Sequence, residues 1–142
     1  MRSIWAFGLI FGVGLGLLAQ PAQARNTVAN YPIEAIRAQP EYAAQIGDFR
    51  FEFGNEVKGT KLGTSNSLQA TNGVNKSDER ACAWAALGAL IKMKADAIAR
   101  GGTSVQGIVS ATTGTDFSST TQYQCISGFT NSRVRFSGQV VK

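Results

Sequence analysis

Residues 75–102, NKSDERACAWAALGALIKMKADAIARGG, form the one long helical pattern in the chain, and they carry the first of only two cysteines. Ser77 suits the N-cap, and Asp78 and Glu79 put negative charge at the positive end of the helix dipole. Gly101-Gly102 supplies the stop, the first glycine being able to take the left-handed C′ conformation. The spacing predicts a helix over about 78–100. Its apolar arc gathers Trp84, Leu87, Leu90, Ile91, Ala95 and Ile98, with Lys92, Asp96 and Arg100 following at steps of four on the other side. Lys94 falls inside that arc and has to snorkel. Ala81, Ala83, Ala85, Ala86 and Ala89 keep the first half slim, so a sheet can approach it closely.

The strands are read from alternation. In DFRFEFG, Phe49, Phe51 and Phe53 alternate with Arg50 and Glu52, a half-buried strand of period two whose aromatic stripe is a core face. Residues 54–76 are polar and broken by Gly54, Gly59, Gly63 and Gly73; they hold one irregular strand over 60–69. After the helix, TSVQGIVSA and TTQYQC read as strands joined by TTGTDFSS. In RVRFSGQVV, Val134, Phe136 and Val140 alternate with Arg133, Arg135, Ser137 and Gln139. Ahead of all these, residues 25–47 carry Pro32 and Pro40, each suited to the first turn of a helix, and hold at most two short helices or turns. The fold expected is therefore α+β, one long helix on a mostly antiparallel sheet of four or five strands.

The start, MRSIWAFGLIFGVGLGLLAQPAQA, has one cation, Arg2, an uncharged apolar run over 4–18, and a small-residue end at Ala22-Gln23-Ala24. That is the layout of a secretory signal peptide over residues 1–24 with cleavage after Ala24, leaving a single domain over 25–142. The run is shorter than the ~20 residues a spanning helix needs, and its glycines weaken it further. No second apolar run could span a bilayer. Of the 14 basic and 9 acidic residues only Arg2 precedes the cleavage point, so the remainder has 13 against 9, a formal charge of +4. These cations are scattered along the chain, which reads as a mildly basic solvated surface and not as a nucleic-acid site. The expected location is the bacterial periplasm or the exterior.

Export sets the reading of the two thiols. In an oxidising compartment Cys82 and Cys125 are expected to join as a structural disulfide, which stabilises the fold by about 4 kcal/mol on the chain-entropy account. A zinc site wants four ligands, and the chain has no histidine. A redox pair usually shows Cys-x-x-Cys. The absence of histidine also removes the commonest general base, and Ser77-Asp78-Glu79-Arg80 lacks the Ser-x-x-Lys order. In GNEVKGTK the final glycine is followed by Thr60 and Lys61, not by Lys and then Ser or Thr, and no helical pattern begins there, so a phosphate loop is not formed. No catalytic, cofactor-binding or metal-binding residues are therefore expected, and no cofactor.

The residues Asn75-Lys76-Ser77-Asp78-Glu79 with Ala81-Cys82 and Trp84-Ala85, then YQC, a final GQVVK, and the earlier YPI and FEFG, resemble a family of small exported bacterial proteins of unknown function. Its members often carry the label excinuclease, or excinuclease ATPase subunit. The resemblance covers about residues 31–142. It departs from the family at Ser104-Val105-Gln106-Gly107, where a more continuous apolar run is expected. The label implies nucleotide and zinc chemistry that these residues do not supply. More distantly, a helix that begins at a cysteine, a following strand and a returning cysteine look like the soluble domain of the envelope-stress lipoprotein RcsF and like small heavy-metal-binding-type domains, a likeness of fold. The functional expectation is a non-catalytic binding, sensing or structural protein of the cell envelope whose partner is an envelope protein. The alternative is a small periplasmic enzyme or ligand carrier, with a polar pocket beside Glu52 or Asp116.

Overall fold

In a computed structural model that describes residues 25–142, nine elements follow one another along the chain. They are β1 (Thr27–Pro32), α1 (Glu34–Arg37), α2 (Pro40–Ile46), β2 (Arg50–Phe53), β3 (Lys61–Asn72), α3 (Asp78–Ala99), β4 (Ser104–Ser110), β5 (Gln122–Ser127) and β6 (Asn131–Val141). The leader expected over residues 1–24 and its cleavage at Ala24 lie outside the described residues.

All six strands belong to one sheet, organised around β6. One edge of β6 pairs with β3 along its whole length, from Asn72↔Asn131 to Lys61↔Val141. The other edge is shared: Ser132 and Arg133 pair with β5, while Phe136 to Val141 pair with β4. Beyond these, β1 pairs with β5 and β2 with β4. Every pairing is antiparallel except β2 with β4, so the sheet is mixed, though mostly antiparallel.

The expected strand count of four or five is corrected to six. The addition is β1, in a segment read as short helices or turns. The two short helices are there too, but TVANYP precedes them and is mostly exposed, so alternation could not announce it. Its extended form comes from its partner, through Ala29↔Cys125 and Tyr31↔Tyr123.

The long helix begins and ends where its caps dictate. Ser77 is extended and its side chain accepts from Arg80 N, while Asp78 and Glu79 occupy the first turn. At the far end Gly101 takes φ +77°, its N–H bonds to Ile98 O at 3.0 Å, and Gly102 N bonds to Ala97 O at 2.8 Å. Those two bonds are the Schellman closure. Asp96 and Arg100, one turn apart, form an ion pair at 2.9 Å.

The buried face of α3 differs from the predicted arc. Leu87 and Leu90 are buried, but Ile98 and Ala95 are exposed and Trp84 keeps 37 % of its surface. The stripe that meets the sheet is Cys82, Ala85, Ala86, Ala89, Met93 and Ala97. Opposite it the inward row of β3 is short as well, with Ser65 buried across from Gly138 of β6 and Ser67 across from Phe136. A helix that lies close to a sheet must set its small residues beneath it, and bulky Trp84 fits only at the margin. Hydrophobic size was a poor guide because alanines surround the first half of the helix and leave its orientation undetermined.

The core also takes Ile33, Ile36 and Ile46 from the α1–α2 segment, Phe51, Val105 and Ile108 from β2 and β4, Tyr123 from β5, and Val134, Phe136 and Val140 from β6. The alternation read in β6 therefore holds. So does the stripe in β2, where the Phe53 ring packs edge-on against Phe136 at 5.3 Å between centroids. In β4, Ser104, Val105 and Gln106 are all buried. Gln106 is accommodated because its Nε2 donates to Ser104 Oγ and its Oε1 accepts from Lys58 N at 2.7 Å. Gly107, at φ +62°, sits where the β4–β6 register slips, a bulge that a side chain would strain.

The helix C-terminus offers a test. A Cβ on Gly102 would lie 2.4 Å from Val140 Cγ1 and within 3.3 Å of two backbone carbonyl oxygens, whereas one on Gly101 meets nothing within 4 Å but carries the positive φ. Gly101→Ala should cost about 1 kcal/mol from backbone strain. Gly102→Ala should cost more, about 2–3 kcal/mol, because core and backbone must both shift. Urea unfolding of the two variants checks the order.

Candidate functional site

The residues with distinctive environments gather around the first three turns of α3. Asp78 is held by Arg25, whose Nη2 lies 2.8 Å from Asp78 Oδ1 and also donates to Gly128 O at 2.8 Å. One guanidinium thus ties the start of β1 to the helix N-terminus and to the β5–β6 turn.

One turn on, Cys82 is bonded to Cys125 with Cα atoms 6.0 Å apart. The staple expected from sequence is therefore present. Both residues are fully buried. As the two-residue period of β5 requires, Tyr123 shares the inward face with Cys125 and contributes its ring to the same core. Below the staple Cys82 Sγ lies 3.4 Å from Ser127 Oγ, which in turn shares a hydrogen bond of 3.0 Å with Ser132 Oγ.

The tyrosine beside the disulfide is unusual. Its hydroxyl is buried without a hydrogen-bond partner, and its ring packs against those of Tyr31 and Phe136, with centroids 6.2 and 6.1 Å away. Burial, then the Glu79 carboxylate, then Tyr31 push this phenol well above the ordinary tyrosine range. Tyr31 is raised too, by burial and then by Asp78 and Glu79, with Arg25 opposing. Both hydroxyls are thereby held neutral, the reverse of what a tyrosine acting as a nucleophile needs.

On the outer side of the same helical turns lies a groove of about 440 Å³. Ala35, Ala38 and Pro40 form one wall, Ala83 and Trp84 the other, and Glu41, Glu79 and Arg80 stand around it. Gln39 fixes its width. The Nε2 of Gln39 donates to Ala83 O at 2.8 Å and to Ile36 O at 3.2 Å, while its Oε1 is buried without a partner. At the other end of α2, Lys94 Nζ donates to Gln45 O and Ile46 O, the last carbonyls of that short helix. This is the snorkelling expected of Lys94, with the C-terminus of a neighbouring helix as its destination.

A second depression, of about 340 Å³, lies beside Glu52 and is lined by Arg37, Phe51, Phe53, Asn55, Glu56 and Thr120. Glu52 is paired there with Arg50 on its own strand. Asp116 does not line it. The GNEVKGTK stretch leads into β3 and not into a helix. Among the described residues no three His, Cys, Asp or Glu side chains converge as metal ligands, and no helix is long and apolar enough to cross a membrane.

Sequence reasoning missed the groove. It placed Trp84 in the core and had no means of docking α1 and α2 against α3. The available signal was Gln39-Pro40: a proline at the first helical position marks the turn before α2, and the polar residue ahead of it is where a side chain can reach across.

No protein-family model, curated protein or solved structure matches the chain.

Two consequences are measurable. Cys82→Ser or Cys125→Ser should lower unfolding free energy by about 4 kcal/mol, and reductant should destabilise the parent chain by a similar amount. Tyr123 gives a pH dependence. Its folded pKa is raised, so above about pH 10 the unfolded chain releases a proton that the folded chain retains, and stability falls as pH rises. Tyr123→Phe should remove that part of the alkaline slope. At neutral pH it should cost little, because the hydroxyl it deletes has no partner. Thermal melts of both proteins across the alkaline range give the comparison.

Proposed function

We propose that this is an exported, disulfide-stapled protein of the bacterial cell envelope that works without catalysis, by binding another envelope protein. The observation that carries the reading is the groove beside α3. It presents an exposed tryptophan and a row of small apolar side chains, on a wall held in place by Gln39 and Lys94. Exposed aromatic anchors in a shallow apolar setting are typical of protein contact sites. The buried disulfide fits an oxidising compartment, and the leader-like sequence of residues 1–24 supports export. The resemblance to the excinuclease-labelled family of small exported proteins supports the same assignment. The nuclease or ATPase chemistry in that label has no support in the residues, and the RcsF-like likeness bears on fold alone.

A second reading, a small-ligand carrier, rests on the depression beside Glu52, where two carboxylates, Arg37 and two phenylalanine rings meet. Release of a small molecule when the natively purified protein is denatured, lost in Glu52→Gln, would favour it. The leading reading is checked by affinity capture from periplasmic extract. The parent chain should recover one envelope protein in stoichiometric amount and Trp84→Glu should lose it. A blank from the parent chain, or equal capture by the variant, would defeat the proposal.

A further inference from the structure

The sheet has three edges, and they are not protected alike. The outer strand β2 has four residues, with charged Arg50 and Glu52. The outer strand β1 has six and ends at Pro32. Short length, charge and proline are the usual devices that keep a sheet edge from pairing with another chain. The third edge, β3, has twelve residues, pairs with β6 alone, and is uncharged after Lys61. No charged residue and no proline occurs anywhere over 62–75.

Which backbone groups of β3 face outward follows from its neighbours. Thr60 and Lys142 exchange N–H···O bonds, whereas Val141 O and Arg135 O accept from Thr103 N and Ala111 N on the β4 side. The even-numbered residues of β6 therefore turn toward β3. By the register Ser65↔Gly138, Ser67↔Phe136 and Gln69↔Val134, the odd-numbered residues of β3 turn toward them. The free edge then belongs to Thr64, Asn66, Leu68, Ala70 and Asn72. Two of its carbonyls are already taken by side chains of the same chain: Arg100 Nη1 donates to Thr64 O at 3.2 Å, and Lys76 Nζ to Asn72 O at 2.8 Å. Both ends are closed, and Asn66, Leu68 and Ala70 are left between them.

We infer that two copies of the chain pair edge to edge through β3, antiparallel, about a twofold axis at Leu68. The open stretch is symmetric about that residue, with one open position and then one capped carbonyl on each side. Leu68 of one copy faces Leu68 of the other, and Asn66 faces Ala70. The Arg100 and Lys76 caps set the register by ending the ladder at both sides. A second copy is the occupant because self-pairing brings each strand against itself, so any charge in the strand would lie near its own kind. In a basic protein this uncharged stretch is where such an approach is free of repulsion. The Leu68 side chain, half exposed on the sheet face away from α3, gains an apolar neighbour in the second copy.

Sedimentation equilibrium on the exported protein at about 100 µM, a concentration at which a micromolar dimer is nearly complete, should give the mass of two chains. Leu68→Pro removes an N–H that β6 does not use, and Leu68→Lys sets two cations face to face without touching the backbone. Each should give a monomer with an unchanged near-ultraviolet circular dichroism spectrum, and the lysine variant decides if the proline variant fails to fold. Leu68→Cys should form a covalent dimer on oxidation, since directly paired strand positions lie within disulfide reach. A monomeric parent chain, or a dimer that both Leu68→Lys and Leu68→Pro leave intact, overturns the inference.

Discussion

The close approach of α3 to the sheet is the constraint on which the rest of the fold depends. Alanines and Cys82 line the underside of the helix, and Ser65, Ser67 and Gly138 lie in the rows beneath it. Small residues on both surfaces bring the two layers together, and packing attraction grows steeply as gaps close. The serines come with a cost, because the hydroxyls of Ser65 and Ser67 are buried without partners. Such groups usually lower stability, so small size has prevailed over polarity at these positions.

The same closeness makes the staple possible. A sulfur on the second turn of α3 meets one on β5 only where helix and sheet are nearly in contact, and the cystine then fixes the distance between them. The arrangement around it is layered. Arg25 ties Asp78 from outside, the disulfide ties the helix from within, and the paired tyrosines fill the space between them. The buried Tyr123 phenol and the partly buried Tyr31 phenol, both held neutral beside Glu79, fill that end of the helix interface with aromatic surface. The groove on the opposite side of the same turns shares a wall with that packed interior.

Much of this was legible in the sequence. The caps of α3, from Ser77 to Gly101-Gly102, depend on local chemistry and appear where expected. So do the alternating residues of β2 and β6, because period two is written into neighbouring positions. The pairing of Cys82 with Cys125 was readable because the chain has only two cysteines and neither a Cys-x-x-Cys spacing nor a histidine to give them other work. Three things were not legible, and each depends on distant partners. β1 is extended because β5 is there to pair with it. The rotation of α3 is decided by serines contributed from β3. The groove exists because Gln39 reaches a carbonyl of Ala83, and no local pattern encodes that contact. The depth of β4 belongs with these: Gln106 looked too polar for a buried strand until Lys58 N and Ser104 Oγ are seen to satisfy it.

The order of strands in space has a consequence for how the chain comes to be folded. β6 is the axis of the sheet, since β3, β4 and β5 all pair with it, yet it follows every other element in the chain. Until residues 131–141 have been made, β3 has no strand to pair with and the inner surface of α3 has little to cover it. Contacts between β3 and β6 span some of the longest separations available, which makes assembly slow relative to elongation of the helix. The sheet can therefore be completed only after the last strand has emerged from the ribosome.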